Sequence, residues 1–379
     1  MLGMASEWQA SLRLTSLSAL RFTCSSSELA SLAAVARKRS YRIHEREIMT
    51  QEGPVPTWVW GLLVAAVCGV SSAGALFQHV QEIPPLLRAS WRLQLTSIVL
   101  APLALYQWRG VTRETKEMYW SKRSWLLLGA SGLALAAHFG AWVASLDETS
   151  LTHSLLFVTA HPLVIVLGML VVVNVHPMVR KPHETEIYGA LICFMGAGIT
   201  LLDNGQSQGG QTVTVYGDGL AFLGAVFVVG YIVVGRILRK WMPIFLYAFP
   251  VTLIAAIVLI PCSYMLESKF STFGVFGWID SEFFIWFLLL ALIAGLLGHT
   301  GLNTCLRYIS PLVVSTAVTF EPLLGSLIGW LFFDTGVPGR WTWIGGIILM
   351  TGLILVVYTS ETVSLEKANN ENNEATASL

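Results

Sequence analysis

Charge is what this chain has least of. Of its 379 residues only 12% are charged, against roughly 25% in an ordinary soluble domain. Lys plus Arg and Asp plus Glu balance at 23 each, so no bulk attraction to nucleic acid or an acidic partner is expected. Cysteine is sparse and scattered: Cys24, Cys68, Cys193, Cys262 and Cys305 show no CxxC spacing, which argues against a zinc site or a disulfide framework. No Gly immediately precedes a Lys, so a phosphate-cradling GxxxxGK[ST] loop is absent and the chain has no such ATPase of its own. No nucleophile–base set suggests an enzyme, and neither cofactor nor metal is expected.

What remains is oil. Apolar residues make up 54% of the chain, with 14 Trp, and the mean hydropathy is +0.65. An integral membrane protein follows, with the lipid bilayer as its first partner. Apolar runs long enough to cross about 30 Å of hydrocarbon lie at 57–79, 86–106, 124–146, 151–174, 185–202, 216–238, 244–265, 283–306, 311–333 and 341–359. In lipid the backbone must satisfy itself internally, so the expected fold class is all-α, with ten transmembrane helices.

Loop charge sets the expected orientation. The loops after the second, fourth, sixth and eighth runs carry Arg109, Arg113, Lys116, Lys122, Arg123, Arg180, Lys181, Arg236, Arg239, Lys240 and Arg307. The opposite loops carry only Lys269 and Arg340. This bias places both termini in the cytosol. The plasma membrane is the expected location and an organelle membrane the alternative. Residues 1–56 form a basic, Ser-rich tail, readable as a transit peptide, a disordered tail or an upstream extension with translation starting at Met49. Residues 361–379 are polar and expected to be disordered.

The two halves of the membrane region, 57–202 and 216–360, resemble one another. HFGAWVASLDETSLTHSLLFVTAHPLVIVLGML from His138 parallels HTGLNTCLRYISPLVVSTAVTFEPLLGSLIGWL from His299. Each opens on His-x-Gly, crosses a short polar break and reaches an X-Pro near the middle of the next run: His161-Pro162 and Glu321-Pro322. IYGALICFMGAG then parallels WIGGIILMTGLI, with Gly189 and Gly196 matching Gly345 and Gly352. Each repeat holds five helices, an odd number, so the second must enter the membrane from the other side. Inverted repeats of this kind are the architecture of alternating-access secondary transporters.

These segments, together with LRYISPLVVSTAVTFEPLLGSLIGWLFF and GGIILMTGLIL, resemble the EamA-type permeases of the drug/metabolite transporter superfamily over roughly residues 57–360. The resemblance implies two inverted five-helix units around a central cavity and the exchange or export of small organic solutes. His161 departs from the neutral polar residue that often precedes the proline in such permeases.

The candidate substrate or coupling residues follow from depth in the membrane, where ionisable groups are costly and face a cavity or a partner. Glu321 lies near the midplane and shares a face with Gly325 and Gly329, a GxxxG row that lets a backbone approach. A proton- or cation-carrying role and a structural role beside Pro322 both fit it. His161 is its pseudo-symmetric mate. His138 and His299 form a second related pair, and Arg92, Trp142 and Asn303 complete the set. Arg88 and Arg92, one turn apart, suit an anionic solute, or else Arg88 snorkels or pairs with Glu82 while Arg92 makes a deeper structural pair. Trp91 and Trp142 either shape a cavity or pack. Trp58, Trp60, Trp120 and Trp125 read as interfacial anchors. Asp147, Glu148 and Asp203 read as solvated loop charges. Gly189, Gly196, Gly345 and Gly352 mark close packing within the fold or a homodimer seam.

The leading expectation is a secondary transporter of small organic metabolites that rocks one five-helix unit against the other. An organellar exchanger of phosphorylated metabolites or nucleotide sugars, and a non-transporting receptor or scaffold of the same fold, are the alternatives.

Overall fold

The computed structural model describes residues 55–172, 181–203, 207–208, 211–309, 314 and 317–377. The basic tail expected at 1–56 therefore lies outside the described residues apart from its last two, and the start of the ninth apolar run lies partly outside them.

Helices follow the apolar runs closely. In order they are α1 Thr57–Ser71, α2 Ala73–His79, α3 Pro85–Gly110, α4 Arg113–Tyr119, α5 Lys122–Glu148, α6 Leu151–Val158, α7 His161–Val172 and α8 Glu184–Thr200. A two-residue antiparallel pair, Ser207–Gln208 with Gln211–Thr212, bridges the halves. There follow α9 Val215–Arg239, α10 Ile244–Leu266, α11 Phe270–Phe273 and α12 Ser281–Leu289, the last running on as a π-helical stretch, Leu290–Thr300. The chain then forms α13 Gly301–Cys305, α14 Glu321–Phe332 and α15 Arg340–Ala377.

Among the described residues, seven helical segments are long and apolar enough to cross a membrane, and Glu321–Phe332 and Arg340–Val356 are shorter apolar helices. The protein is an integral, multi-pass membrane protein. α3 falls outside the seven because it carries Arg88, Arg92, Gln94, Thr96 and Ser97, all buried within the bundle.

Local chemistry explains the boundaries. Pro85 opens α3 at N1, where its missing N–H costs nothing. Ser121, Ser150 and Thr214 cap α5, α6 and α9 by accepting a backbone N–H three residues on. His183 and Glu186 make a reciprocal cap at α8. α15 stays helical through Ala377, across the polar stretch expected to be disordered. KANNENNEATA contains neither Gly nor Pro, so nothing in it breaks the helix.

The proline breaks are sharper than the sequence suggests. Neither X-Pro sits inside a helix; α7 starts at His161 and α14 starts at Glu321, each with proline as its second residue. A proline ring clashes with the preceding turn and lacks an N–H, so the helix stops before it and restarts upon it. His161 and Glu321 thus occupy matching first-turn positions.

The two sequence halves interleave. α9 packs along α5, α8 along α15, α10 along α3, α1 along the π-helical stretch and α14 along α6, so each of these pairs joins one half to the other. The glycines make the α8–α15 seam possible. A Cβ on Gly196 would lie 2.7 Å from the Gly345 carbonyl oxygen, and one on Gly352 would lie 2.6 Å from that of Gly189. These glycines therefore serve packing within the chain. Gly325 and Gly329 instead face Leu155 and Leu151 of α6, where a Cβ would meet their methyls at 2.6 Å. We call the end of the bundle where α1 begins the near end and the opposite end the far end.

Candidate functional site

α5, α7, α9, α13, α14 and the π-helical stretch bring polar groups to one cavity. Its walls include His138, Trp142, His161, Tyr231, His299, Asn303 and Glu321, with Val70, Val158, Val228, Ile232, Leu302, Leu306, Val314 and Val318 between them. Six of the seven substrate or coupling candidates named from sequence line it. Tyr231, Asn303 and Leu306 lie in, or just past, the near halves of their helices, so the cavity runs from mid-bundle toward the near end. Its free space for water-sized occupants is about 60 Å³, room for about four waters. An organic solute needs several hundred Å³, more than this contracted cavity offers.

The polar lining is held in place from behind. His138 Nδ1 donates to the Gly224 carbonyl at 2.9 Å, which fixes the ring and turns Nε2 away from that contact. Its ring stacks on Trp142 with centroids 6.0 Å apart and lies 6.4 Å from His299. Gly224 permits this, since a Cβ there would meet Trp142 Cβ at 3.3 Å. Asn303 donates to the Tyr231 hydroxyl and to the His299 carbonyl, the latter at 2.7 Å.

Several buried polar atoms find no partner among the described residues: Trp142 Nε1, His161 Nδ1, Asn303 Oδ1, and Arg92 Nε and Nη1. Unpaired buried polar atoms are costly in apolar surroundings. Three of these belong to cavity walls, so a solute or water entering the cavity would meet unpaired donors and acceptors.

Arg92 is the seventh candidate and stands just behind the wall. Its guanidinium lies over the Phe139 ring at 4.4 Å and the Phe77 ring at 5.5 Å, and Phe139 lies 5.3 Å from the His299 ring. Its charge acts on Glu321 without a direct ion pair between them among the described residues. The first residue of α14 is a favourable place for the Glu321 carboxylate, because the positive end of the helix faces it.

Other expectations from the sequence are corrected. Arg88 neither snorkels nor pairs with Glu82: it is fully buried, donates to the Phe77 carbonyl at 2.8 Å and forms an ion pair with Asp147. Asp147 is therefore not a free loop charge. Asp203, also expected to be solvated, is fully buried and accepts the Thr342 N–H at 2.7 Å. Trp91 is packing: it meets Phe273, Phe283 and Phe287 and donates to the Gly274 carbonyl. Trp58, Trp60 and Trp120 are exposed, while Trp125 stacks on Trp120 and is half-buried. Tyr231 and Phe139 escape a reading of the sequence, being aromatics in apolar runs with nothing in their spacing to distinguish them.

α3, which carries both arginines, is anchored from outside the membrane region. Glu267, just past α10, accepts the Leu86 and Leu87 N–H groups at 2.6 and 3.1 Å and the Ser263 hydroxyl at 2.5 Å. Burial pushes its carboxyl above the ordinary glutamate range, although these hydrogen bonds and the charge of Arg88 pull the other way.

Among curated proteins none matches this chain. A crystal structure described only as that of a protein shares the fold, with a TM-score of 0.55 and 17% identity, covering 81% of this chain and 99% of the other. That likeness concerns the fold alone. Residues 215–358, which supply Tyr231, His299, Asn303 and Glu321 to the cavity, match the EamA-like transporter family, in agreement with the resemblance to EamA-type permeases carried by the sequence.

Proposed function

We propose that the protein is a secondary transporter of small organic metabolites that works by alternating access, with ten membrane-crossing segments in two inverted five-helix repeats and both termini cytosolic. The observation that carries this reading is the convergence of both X-Pro helix starts, His161-Pro162 and Glu321-Pro322, on one polar-lined cavity. Helix starts that face a mid-membrane cavity present N–H groups and the positive end of the helix to a solute. The contracted cavity supports a cycle in which the solute is bound only when one end opens.

The interleaved packing bears on how that cycle runs. Rocking one sequence half against the other would break the α5–α9, α8–α15 and α3–α10 seams at once. Motion of such cross-half pairs against one another keeps them, and this is the mechanism we adopt. Glu321 and His161 are assigned to solute or proton binding, His138, His299, Trp142 and Asn303 to shaping the site, and Arg92 to setting its electrostatics.

Reconstituted vesicles should take up or release a labelled solute saturably and without ATP. A broad metabolite panel that gives no flux with any member would sink the transporter reading and favour a receptor or scaffold.

A further inference from the structure

Arg88 and Arg92 stand one turn apart on α3 and are both at most 1% exposed, yet the fold treats them differently. Arg88 has a counterion in the chain, Asp147, and donates to the Phe77 carbonyl. Arg92 has no such counterion. Its Nε and Nη1 are buried without a hydrogen-bond partner, and no acid pairs with it among the described residues. Glu321 is the carboxylate whose charge reaches Arg92, but the two stay apart. What Arg92 has instead is the pair of rings beneath it, Phe139 at 4.4 Å and Phe77 at 5.5 Å. Ring faces attract the charge but give its N–H groups no lone pair of the kind an oxygen supplies. An ion stripped of water is costly unless it is paired and hydrogen-bonded. Arg88 shows how the chain meets that cost; the open donors of Arg92 are left for an acceptor from outside the chain.

Phe139 is also the partition between Arg92 and the cavity. Besides lying under the guanidinium, its ring stands 4.9 Å from His138, 5.3 Å from His299 and 5.9 Å from Trp142, three residues of the cavity wall. The cavity must grow from about 60 Å³ to several hundred to hold an organic solute, and displacing this one ring adds Arg92 to its lining. The unpaired atoms around that space are weighted toward donors. Arg92 Nε and Nη1 and Trp142 Nε1 only donate, Asn303 Oδ1 only accepts, and His161 Nδ1 does either. A solute that satisfies them brings acceptor oxygens and a negative charge. The rest of the wall, including Val158, Val228, Ile232 and Leu302, is apolar and suits a hydrocarbon body. A carboxylate matches a single guanidinium in charge and geometry. A phosphate monoester would bring close to two negative charges to a site with one arginine and the Glu321 carboxyl on its wall.

We propose that the solute is a monocarboxylate with an apolar body, and that Arg92 anchors its carboxylate once Phe139 swings aside. Passage of the solute rests on the transporter reading above; its binding at Arg92 does not.

Thermal unfolding of the full-length protein in detergent tests the anchor, because a ligand raises the melting temperature by mass action. Benzoate or hydrocinnamate at about 10 mM should raise it by about 2 °C or more. Benzamide and benzylamine, which keep the ring and lose the negative charge, should not, and neither should phenyl phosphate. Arg92→Gln should abolish the carboxylate shift. Where that variant is not folded on gel filtration, Arg92→Lys takes its place: it keeps the charge without the planar fork and should need at least about tenfold more carboxylate for the same shift. Phe139→Leu removes the ring that has to move, so it should lower the half-saturating carboxylate concentration by about threefold or more; a raised concentration would overturn the part given to Phe139. No shift with either carboxylate overturns the proposal, as does an equal shift with the amide, the amine or the phosphate, or a carboxylate shift that Arg92→Gln or Arg92→Lys leaves unchanged. Saturable flux of other solutes without a carboxylate shift removes this site alone, whereas a carboxylate-specific shift without flux removes the transporter reading and leaves the anion site.

Discussion

Glu321 is the residue where chemistry and architecture meet, since it is the only acid among the described residues that line the cavity and the first residue of the helix that Pro322 restarts. Glu321→Gln preserves shape and hydrogen bonding but removes the ionisable proton. If Glu321 carries a proton, the variant should abolish pH-driven flux in vesicles and leave counterflow exchange; loss of the folded protein on gel filtration would assign it a structural role instead. Trp142 offers a cleaner separation of binding from folding. Its indole N–H has no partner among the described residues, so Trp142→Phe breaks no hydrogen bond and should cost only the vacated ring volume, about 1–2 kcal/mol, while weakening the apparent affinity for solute. Unchanged affinity would show that the indole N–H does not meet the solute. The pairing of Glu321 with His161 was legible from the parallel segments alone. That Arg92 would rest on aromatic rings behind the cavity wall was not, because cation–ring contacts join residues far apart in sequence.

Helices in this chain are placed by small residues and by caps. α8 holds a built-in comparison: Gly196 abuts the backbone of α15, whereas Gly198, two residues on, has nothing within 4 Å of the place a Cβ would take. Gly196→Ala should cost about 1–3 kcal/mol by forcing the seam apart, and Gly198→Ala should be neutral or stabilise by up to about 1 kcal/mol. Thermal unfolding in detergent would check both, and equal effects would refute the seam. The Glu267 cap on α3 makes a prediction in pH. Its carboxyl is raised in the folded state by burial, so its stabilising contribution is complete below the unfolded value of about 4.3 and fades as pH rises through the raised folded value. Melting temperatures across that range should fall less steeply in Glu267→Gln than in the natural protein. Helix existence and bounds were largely readable from hydropathy, because crossing hydrocarbon imposes length and composition. The proline breaks were only half readable: the sequence showed where they stand, but whether a helix bends around a proline or restarts on it depends on what satisfies the freed backbone.

For the whole molecule, the expected topology predicts that tags on the two termini are reached from the same side of the membrane, and a protease that reaches only one from the cytosolic side would refute it. The alternation of loop charge and the five apolar runs in each half are sequence properties, since lipid insertion reads charge and hydrophobicity before any tertiary contact forms. So the chain alone determined the class of protein, the helix positions and the matched pairs of residues at its centre. Tertiary structure decided what those residues face. The halves interleave rather than sit side by side, the glycine rows close onto each other within one chain, and Asp203, which reads as a loop charge, is buried against Thr342. Such outcomes depend on which helices come within contact distance, and hydropathy, a property of each segment alone, carries no information about its neighbours.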